Sequence, residues 1–154
     1  MTEGTLARLA AAGLSLPRPT VPAANYVPFT RAGALLFVAG QTPVLDGVPR
    51  FLGAVGDDVT VAEAQAAARL CALNILAQVH AALDGDLDRA RCLRLGGFVR
   101  CRDGFTQQAQ VLDGASDLLV LALGDGGRHV RTTVGTHALP RGVPVEVDAV
   151  FEVA

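Results

Sequence analysis

The sequence predicts an α+β fold in two layers, a mixed sheet packed on one side by two long helices. Three observations predict it. Residues 61 to about 83 form a capped segment rich in Ala, Leu and Gln, long enough for six turns of helix. A second helical segment runs from about Gln107 to Leu123 and stops at Gly124. Between and around them, residues 35–39, 92–101, 130–137 and 145–153 are short apolar or alternating runs bounded by turn residues, the pattern of strands. Strands covered on one side by helices make a two-layer domain.

Taken in order, residues 5–12 place Leu6, Leu9 and Ala10 at helical spacing, with Gly13 positioned to end the turn. Pro17, Pro19 and Pro22 then force an extended connector. The run at 35–39 ends at Gly40-Gln41, and Asp46-Gly47 is a turn signal before a further extended piece near residues 52–55. Thr60 and Glu63 form a capping box at the head of the long helix. There Val61, Ala64, Ala68, Cys71, Ile75 and Val79 recur at threes and fours, predicting one buried stripe that lies on the sheet, and Gly85 closes the segment. Asp125-Gly126-Gly127 is a loop into residues 130–137. That run and residues 145–153 flank the turn-forming Leu139-Pro140-Arg141-Gly142, so the two can pair as a hairpin or sit apart in a mixed sheet.

A chain of 154 residues suits a single domain, 1–154, in which residues 1–24 are a helix and connector added at the N-terminus. Its 51% hydrophobic content and mean hydropathy of +0.38 suit a subunit that buries part of its surface against copies of itself. Thirteen basic against fifteen acidic residues give a net charge of -2, which argues against a nucleic-acid partner. Every basic residue is arginine, so chemistry through a lysine Schiff base is excluded. Cys71, Cys92 and Cys101 lack the paired spacing of zinc or redox motifs and are expected to be buried, reduced thiols. No segment has the length and apolarity of a membrane span, and the chain is expected to stay in the cytoplasm.

The most informative stretch is Arg131-Thr132-Thr133-Val134-Gly135, followed by Leu139-Pro140 and then Val145-Glu146-Val147-Asp148-Ala149. It resembles the C-terminal signature of the RidA (YjgF/YER/UK) family, and Tyr26, Gly40-Gln41 and Phe98-Val99 fit the same family's spacing upstream. The resemblance covers Tyr26 to the C-terminus. It implies a chorismate-mutase-like fold, a homotrimer with ligand clefts between subunits, and cofactor-free hydrolysis of enamines and imines derived from amino acids, releasing a 2-keto acid and ammonia. It implies that Arg131 holds the substrate carboxylate, a task suited to a planar guanidinium. It also implies that Glu146 orients or activates the attacking water. Tyr26, Gly40, Gln41, Phe98 and Thr133 are then ligand-binding candidates, and no metal is implied.

Each assignment has a structural alternative. Arg131 can pair with Glu146 or with a neighbouring subunit's acid, Glu146 can simply face water by strand period, and Tyr26 can be a packing residue. His129 and His137 lie on one strand without a Cys or carboxylate at ligand spacing, so no metal site is expected. Ser116 sits in a helix rather than on a nucleophile elbow. Two departures from the family matter. Thr133 stands where the deaminase branch has cysteine, and Ala109 where it has asparagine, so a rival reading keeps the cleft and Arg131 but makes the protein a non-catalytic binder of keto or amino acids. A third reading, an endoribonuclease or translation inhibitor, lacks a basic aromatic platform or a His/Lys acid–base pair.

Overall fold

The computed structural model describes residues 3–154. Among them the chain forms α1 (Thr5–Ala11), β1 (Phe29–Ala32), β2 (Leu35–Gln41), β3 (Val44–Leu45), β4 (Val48–Pro49), α2 (Val61–Ala82), β5 (Ala90–Arg100), α3 (Gln108–Leu123), β6 (Val130–Thr136) and β7 (Val145–Val153). Five strands make one sheet in the order β1-β2-β7-β5-β6, and β3 pairs with β4 as a separate hairpin. The large sheet is mixed: β6 runs parallel to β5, and the other pairings are antiparallel. The helix α3 carries the chain from β5 back to β6, and a crossover of that kind returns a strand parallel to the one it left. This decides between the two arrangements open for β6 and β7. They are no hairpin, because β5 lies between them.

Alternation along the strands fixes which face is covered. On β7, Val145, Val147, Ala149, Phe151 and Val153 are buried against the helices, while Glu146, Asp148, Val150 and Glu152 turn to the other face. On β5, Cys92, Leu95 and Val99 face inward with them. Phe151 is wholly buried, and removing a side chain of that size from water contributes about 2–3 kcal/mol. Among the described residues no helix covers the outer face, and Leu35, Phe37, Phe98, Val130 and Val134 remain exposed there, Val130 by 70%.

The Thr60 hydroxyl accepts the Glu63 amide at 3.1 Å and donates to Glu63 Oε1 at 3.0 Å, so the expected capping pair forms at the head of α2. The predicted stripe is buried, but so are Ala67, Ala72, Asn74, Leu76, Ala77 and Gln78. The middle of α2 is therefore enclosed on all sides rather than lying on the sheet by one face. One neighbour is α3, brought close by Gly114: a β-carbon there would fall on the carbonyl oxygen of Gln65 in α2. Another is the connector at Thr20, while α1 packs on α3, burying Leu9 and donating from the Arg8 guanidinium to the Ala122 carbonyl at 2.8 Å. No helix among the described residues is long and apolar enough to cross a membrane.

Two local expectations change. Residues 52–55 are not a strand, because Phe51 (φ 58°) and Gly53 (φ 121°) break the extended chain, leaving Val55 only isolated bridges to Val59 and Cys101. The extended pieces after Gln41 are instead β3 and β4, joined at Asp46 (φ 52°) and Gly47 (φ 77°), a two-residue turn with both residues left-handed. Edge strand β1 is additional to the predicted set; its exposed Thr30 and Arg31 give it no apolar run to read.

Gly114→Ala tests the helix contact. Overpacking costs about 1–3 kcal/mol, set against about 1 kcal/mol of regained helix propensity. The denaturant midpoint at fixed protein concentration should fall; an unchanged or higher midpoint would show that the two helices are not held at glycine distance.

Candidate functional site

A cavity of about 620 Å³ opens beside the far ends of β2 and β7. Its walls come from four parts of the chain: the proline connector (Arg18 to Ala23), the segment at Tyr26, the end of β2 with the β3–β4 turn, and Pro140-Arg141 with Glu146. Tyr26, Gly40, Gln41 and Glu146, all predicted from sequence, line it together.

A bulge brings Glu146 and Gly40 against each other. Val38 pairs with Ala149 but Gln41 pairs with Val147, so β2 carries one extra residue there. The shift turns Gly40 toward Glu146, and a β-carbon on Gly40 would sit 3.0 Å from the Glu146 carboxyl carbon. Glycine is thus required for the carboxylate to lie on the backbone. Removal from water pushes the Glu146 carboxyl above its usual range of about 4.5, and the Asp148 charge two residues along the same face adds to the shift.

Gln41 points inward and is buried, serving as a strut. It accepts the Thr20 hydroxyl at 2.9 Å and donates to the Ala39 carbonyl at 3.1 Å, while Gln78 of α2 donates to the Thr20 carbonyl at 2.8 Å. Asn74, one turn earlier on α2, donates to the carbonyls of Thr42 and Val44 at 3.0 and 2.9 Å. Four amide and hydroxyl side chains therefore tie the connector and the β3–β4 hairpin to the buried helix. Those ties, and the presence of Arg18, Asp46 and Arg141 in the cavity wall, were not read from sequence. The polar Asn74 and Gln78 inside the otherwise apolar stretch 70–79 of α2 are the signal that marks the first of them.

Phe98 lies directly opposite Glu146 in the register of β5 and β7, on the same outer face, though it does not line the cavity. Arg131 and Thr133 lie elsewhere. They pair with Leu95 and Gly97 of β5, whose inward side meets the helix layer, so they point to the α3 side of the sheet. The Arg131 guanidinium is held three ways by α3: Nη2 lies 2.9 Å from Asp113 Oδ1 and donates to the Ala109 carbonyl at 2.9 Å, and Nη1 donates to the Ser116 hydroxyl at 2.9 Å. The ion-pair alternative for Arg131 is thus realised with Asp113 rather than Glu146. Asp113 and Ser116 are three apart on a helix and so share a face, which makes them readable as a pair in hindsight. His129 completes the group, its Nδ1 2.6 Å from the Gly127 carbonyl and its Nε2 2.8 Å from Ser116 Oγ. A carbonyl only accepts, so Nδ1 donates to Gly127, and in the neutral ring the Ser116 hydroxyl donates to Nε2. Beside this cluster the Thr133 hydroxyl is buried without a partner.

The thiols stay out of both groups. Cys71 and Cys92 are buried, and burial raises both well above the usual thiol range, Cys92 to about 12. A thiol so held is not a nucleophile.

The mixed sheet with its helices on one face defines a two-layer chorismate-mutase-like α+β protein. The family described as "YjgF/chorismate mutase-like, putative endoribonuclease" matches residues 6–147, and the chain belongs to that family. It is 46% identical to Protein TCP17 of Trypanosoma cruzi over 148 residues, covering 95% of this chain and 92% of that protein. Among solved structures, the Agrobacterium tumefaciens protein Atu1372 superposes with a TM-score of 0.92 at 48% identity, covering 97% of this chain and 92% of that one. A Shewanella oneidensis protein described as a putative endoribonuclease superposes at 0.95 with 36% identity, covering 98% and 100%.

The raised carboxyl of Glu146 has a signed consequence for stability. Its protonated form is favoured in the folded state, so that stabilisation is full below about 4.5 and is lost as pH rises through the higher folded value. Glu146→Gln is neutral throughout. Its melting temperature should match the parent's in acid and exceed it increasingly toward neutral pH; parallel curves would mean that the carboxyl is not perturbed.

Proposed function

We propose that the protein is a cofactor-free imine hydrolase of the enamine/imine deaminase type, acting on small 2-imino acids at clefts between the subunits of a homotrimer. The observation that carries it is the half-buried Glu146 carboxyl, seated on Gly40 in the wall of a cavity large enough for a small metabolite.

A carboxylate partly withdrawn from water is suited to general base and then general acid work near neutral pH. Glu146 takes a proton from a water as the water oxygen bonds to the carbon of the protonated imine, giving a neutral carbinolamine. The same carboxyl returns that proton to the nitrogen; as the carbon–nitrogen bond breaks, the carbinolamine hydroxyl gives its proton to the Glu146 carboxylate, the carbonyl forms, and ammonia leaves behind a 2-keto acid. Phe98 gives an apolar surface beside Glu146 on the outer face of the sheet, and Tyr26 contributes a hydroxyl at the cavity.

The substrate carboxylate is assigned to Arg131. Within one chain Arg131 and Glu146 lie on opposite faces of the sheet, on strands separated by β5. One small substrate reaches both only where β6 of one subunit borders the cavity of the next. An uncovered outer face bearing Phe37, Phe98 and Val134 supports association, since a monomer seldom leaves a contiguous apolar sheet face in water. Asp113, Ser116 and the Ala109 carbonyl then serve as braces that fix the guanidinium while it keeps donors free for a carboxylate. None of the chain's three histidines lines the cavity, which weighs against a ribonuclease of the paired-histidine kind.

Ammonia release from freshly generated 2-iminopropionate tests the chemistry. The protein should accelerate it, and Arg131→Ala and Glu146→Gln should each lower the rate by about a hundredfold or more. Acceleration that survives both changes would sink the assignment. No acceleration, together with thermal stabilisation by pyruvate, would leave a binding protein instead. Analytical ultracentrifugation should give three times the 15.9 kDa chain mass, and a monomer would remove the shared cleft.

A further inference from the structure

Two guanidinium groups in the cavity wall are not used by the reaction just described. Arg18 stands in the proline connector and Arg141 in the Leu139-Pro140-Arg141-Gly142 turn, and both line the cavity with Glu146. Arg141 is held in an unusual way. Its backbone has φ 59°, a left-handed conformation that a β-carbon disfavours, and its Nη2 reaches across to donate to the Gly47 carbonyl at 3.2 Å. That single bond leaves most of its five N–H donors unused. Among the described residues neither Arg18 nor Arg141 has a carboxylate within ion-pair distance, although Asp46 and Glu146 line the same cavity. Where an internal partner would be close at hand, both cations remain free.

The size of the cavity points the same way. About 620 Å³ falls among pockets that hold drug-sized ligands, more room than a three-carbon imine fills. With one carboxylate assigned to Arg131 and the imine carbon to Glu146, the free cations fall to the other end of the substrate.

We propose that Arg18 and Arg141 form a second anion subsite, and that the preferred ligands are dicarboxylates: 2-imino acids whose side chain ends in its own carboxylate. A guanidinium recognises such a group through parallel hydrogen bonds, and two of them from separate loops would fix both its position and its distance from Glu146. The turnover part of this proposal rests on the hydrolase reading; the binding part does not.

Calorimetry on the full-length protein with 2-oxoglutarate and 2-oxobutanoate, a dicarboxylate and a monocarboxylate product analogue, reads the subsite without catalysis. The dicarboxylate should bind about tenfold or more tightly, the effect of one well-made charge-assisted bond. Arg18→Gln and Arg141→Gln should each bring the ratio of the two affinities toward one. Arg141→Gly guards against misfolding: it suits the left-handed backbone, should melt no lower than the parent, and should lose the preference all the same. Equal affinities in the parent, binding of neither compound, or a preference that persists in all three variants would overturn the subsite.

Ammonia release from 2-iminoglutarate and 2-iminobutanoate separates this from the hydrolase reading. A dicarboxylate preference in binding with neither imine turned over upholds the subsite and removes the hydrolase. Turnover of both imines with no preference for the dicarboxylate does the reverse.

Discussion

Everything in this molecule follows from covering the sheet on one side only. The side-chain period of a strand is two, so once Val145, Val147, Ala149, Phe151 and Val153 are committed to the helices, Glu146, Asp148, Val150 and Glu152 must look outward. A register slip of one residue would put Glu146 in the core and Phe151 in water. The burial of five apolar side chains therefore holds the carboxylate in place, and the stability of the core and the orientation of Glu146 are one constraint seen from two faces. The bulge at Gly40 is the local adjustment that lets a neighbouring strand pass beside that carboxylate without striking it.

The second constraint is α2, which is enclosed rather than laid on a surface. Polar side chains in an enclosed helix are costly unless hydrogen-bonded, and the amide groups of Asn74 and Gln78 donate to backbone carbonyls of the connector and of the segment at β3, while Asn74 Oδ1 is left buried without a partner. The loops gain partners for carbonyls the sheet does not use, and the cavity gains walls of fixed position. This is how a connector of prolines, which has few backbone donors of its own, becomes a precise part of a binding surface.

Much of this was legible in the sequence, and the rest was not for identifiable reasons. Thr60 with Glu63, Gly85 and Gly124 marked the helix ends because capping is local chemistry, and strand period placed Glu146 opposite the core. The order of strands was not legible: whether residues 130–137 and 145–153 pair depends on where β5 goes, a contact between residues far apart in sequence. Of the candidate residues, Tyr26, Gly40, Gln41 and Glu146 proved to share a cavity, because Gly40 and Gln41 end a strand beside the one that carries Glu146. Arg18 and Arg141 escaped notice because each sits in a turn or connector, where no periodicity announces which way a side chain points.

The two faces of the sheet also explain why Arg131 and Glu146 answer to different partners. Arg131 and Thr133, two apart on β6, share the helix side, and α3 supplies what surrounds them: Asp113, Ser116 and the Ala109 carbonyl around the guanidinium. The group at the Ala109 position therefore touches Arg131 through its backbone, which any residue provides, so the loss of an asparagine side chain there leaves that brace intact. Thr133 is different. Its hydroxyl is buried with no partner, a cost that a hydrogen-bonding ligand beside Arg131 would remove and that a thiol in its place would scarcely incur. Of the two departures from the deaminase branch, one is thus neutral for holding Arg131, and the other puts an unspent hydrogen-bonding group next to the proposed carboxylate clamp.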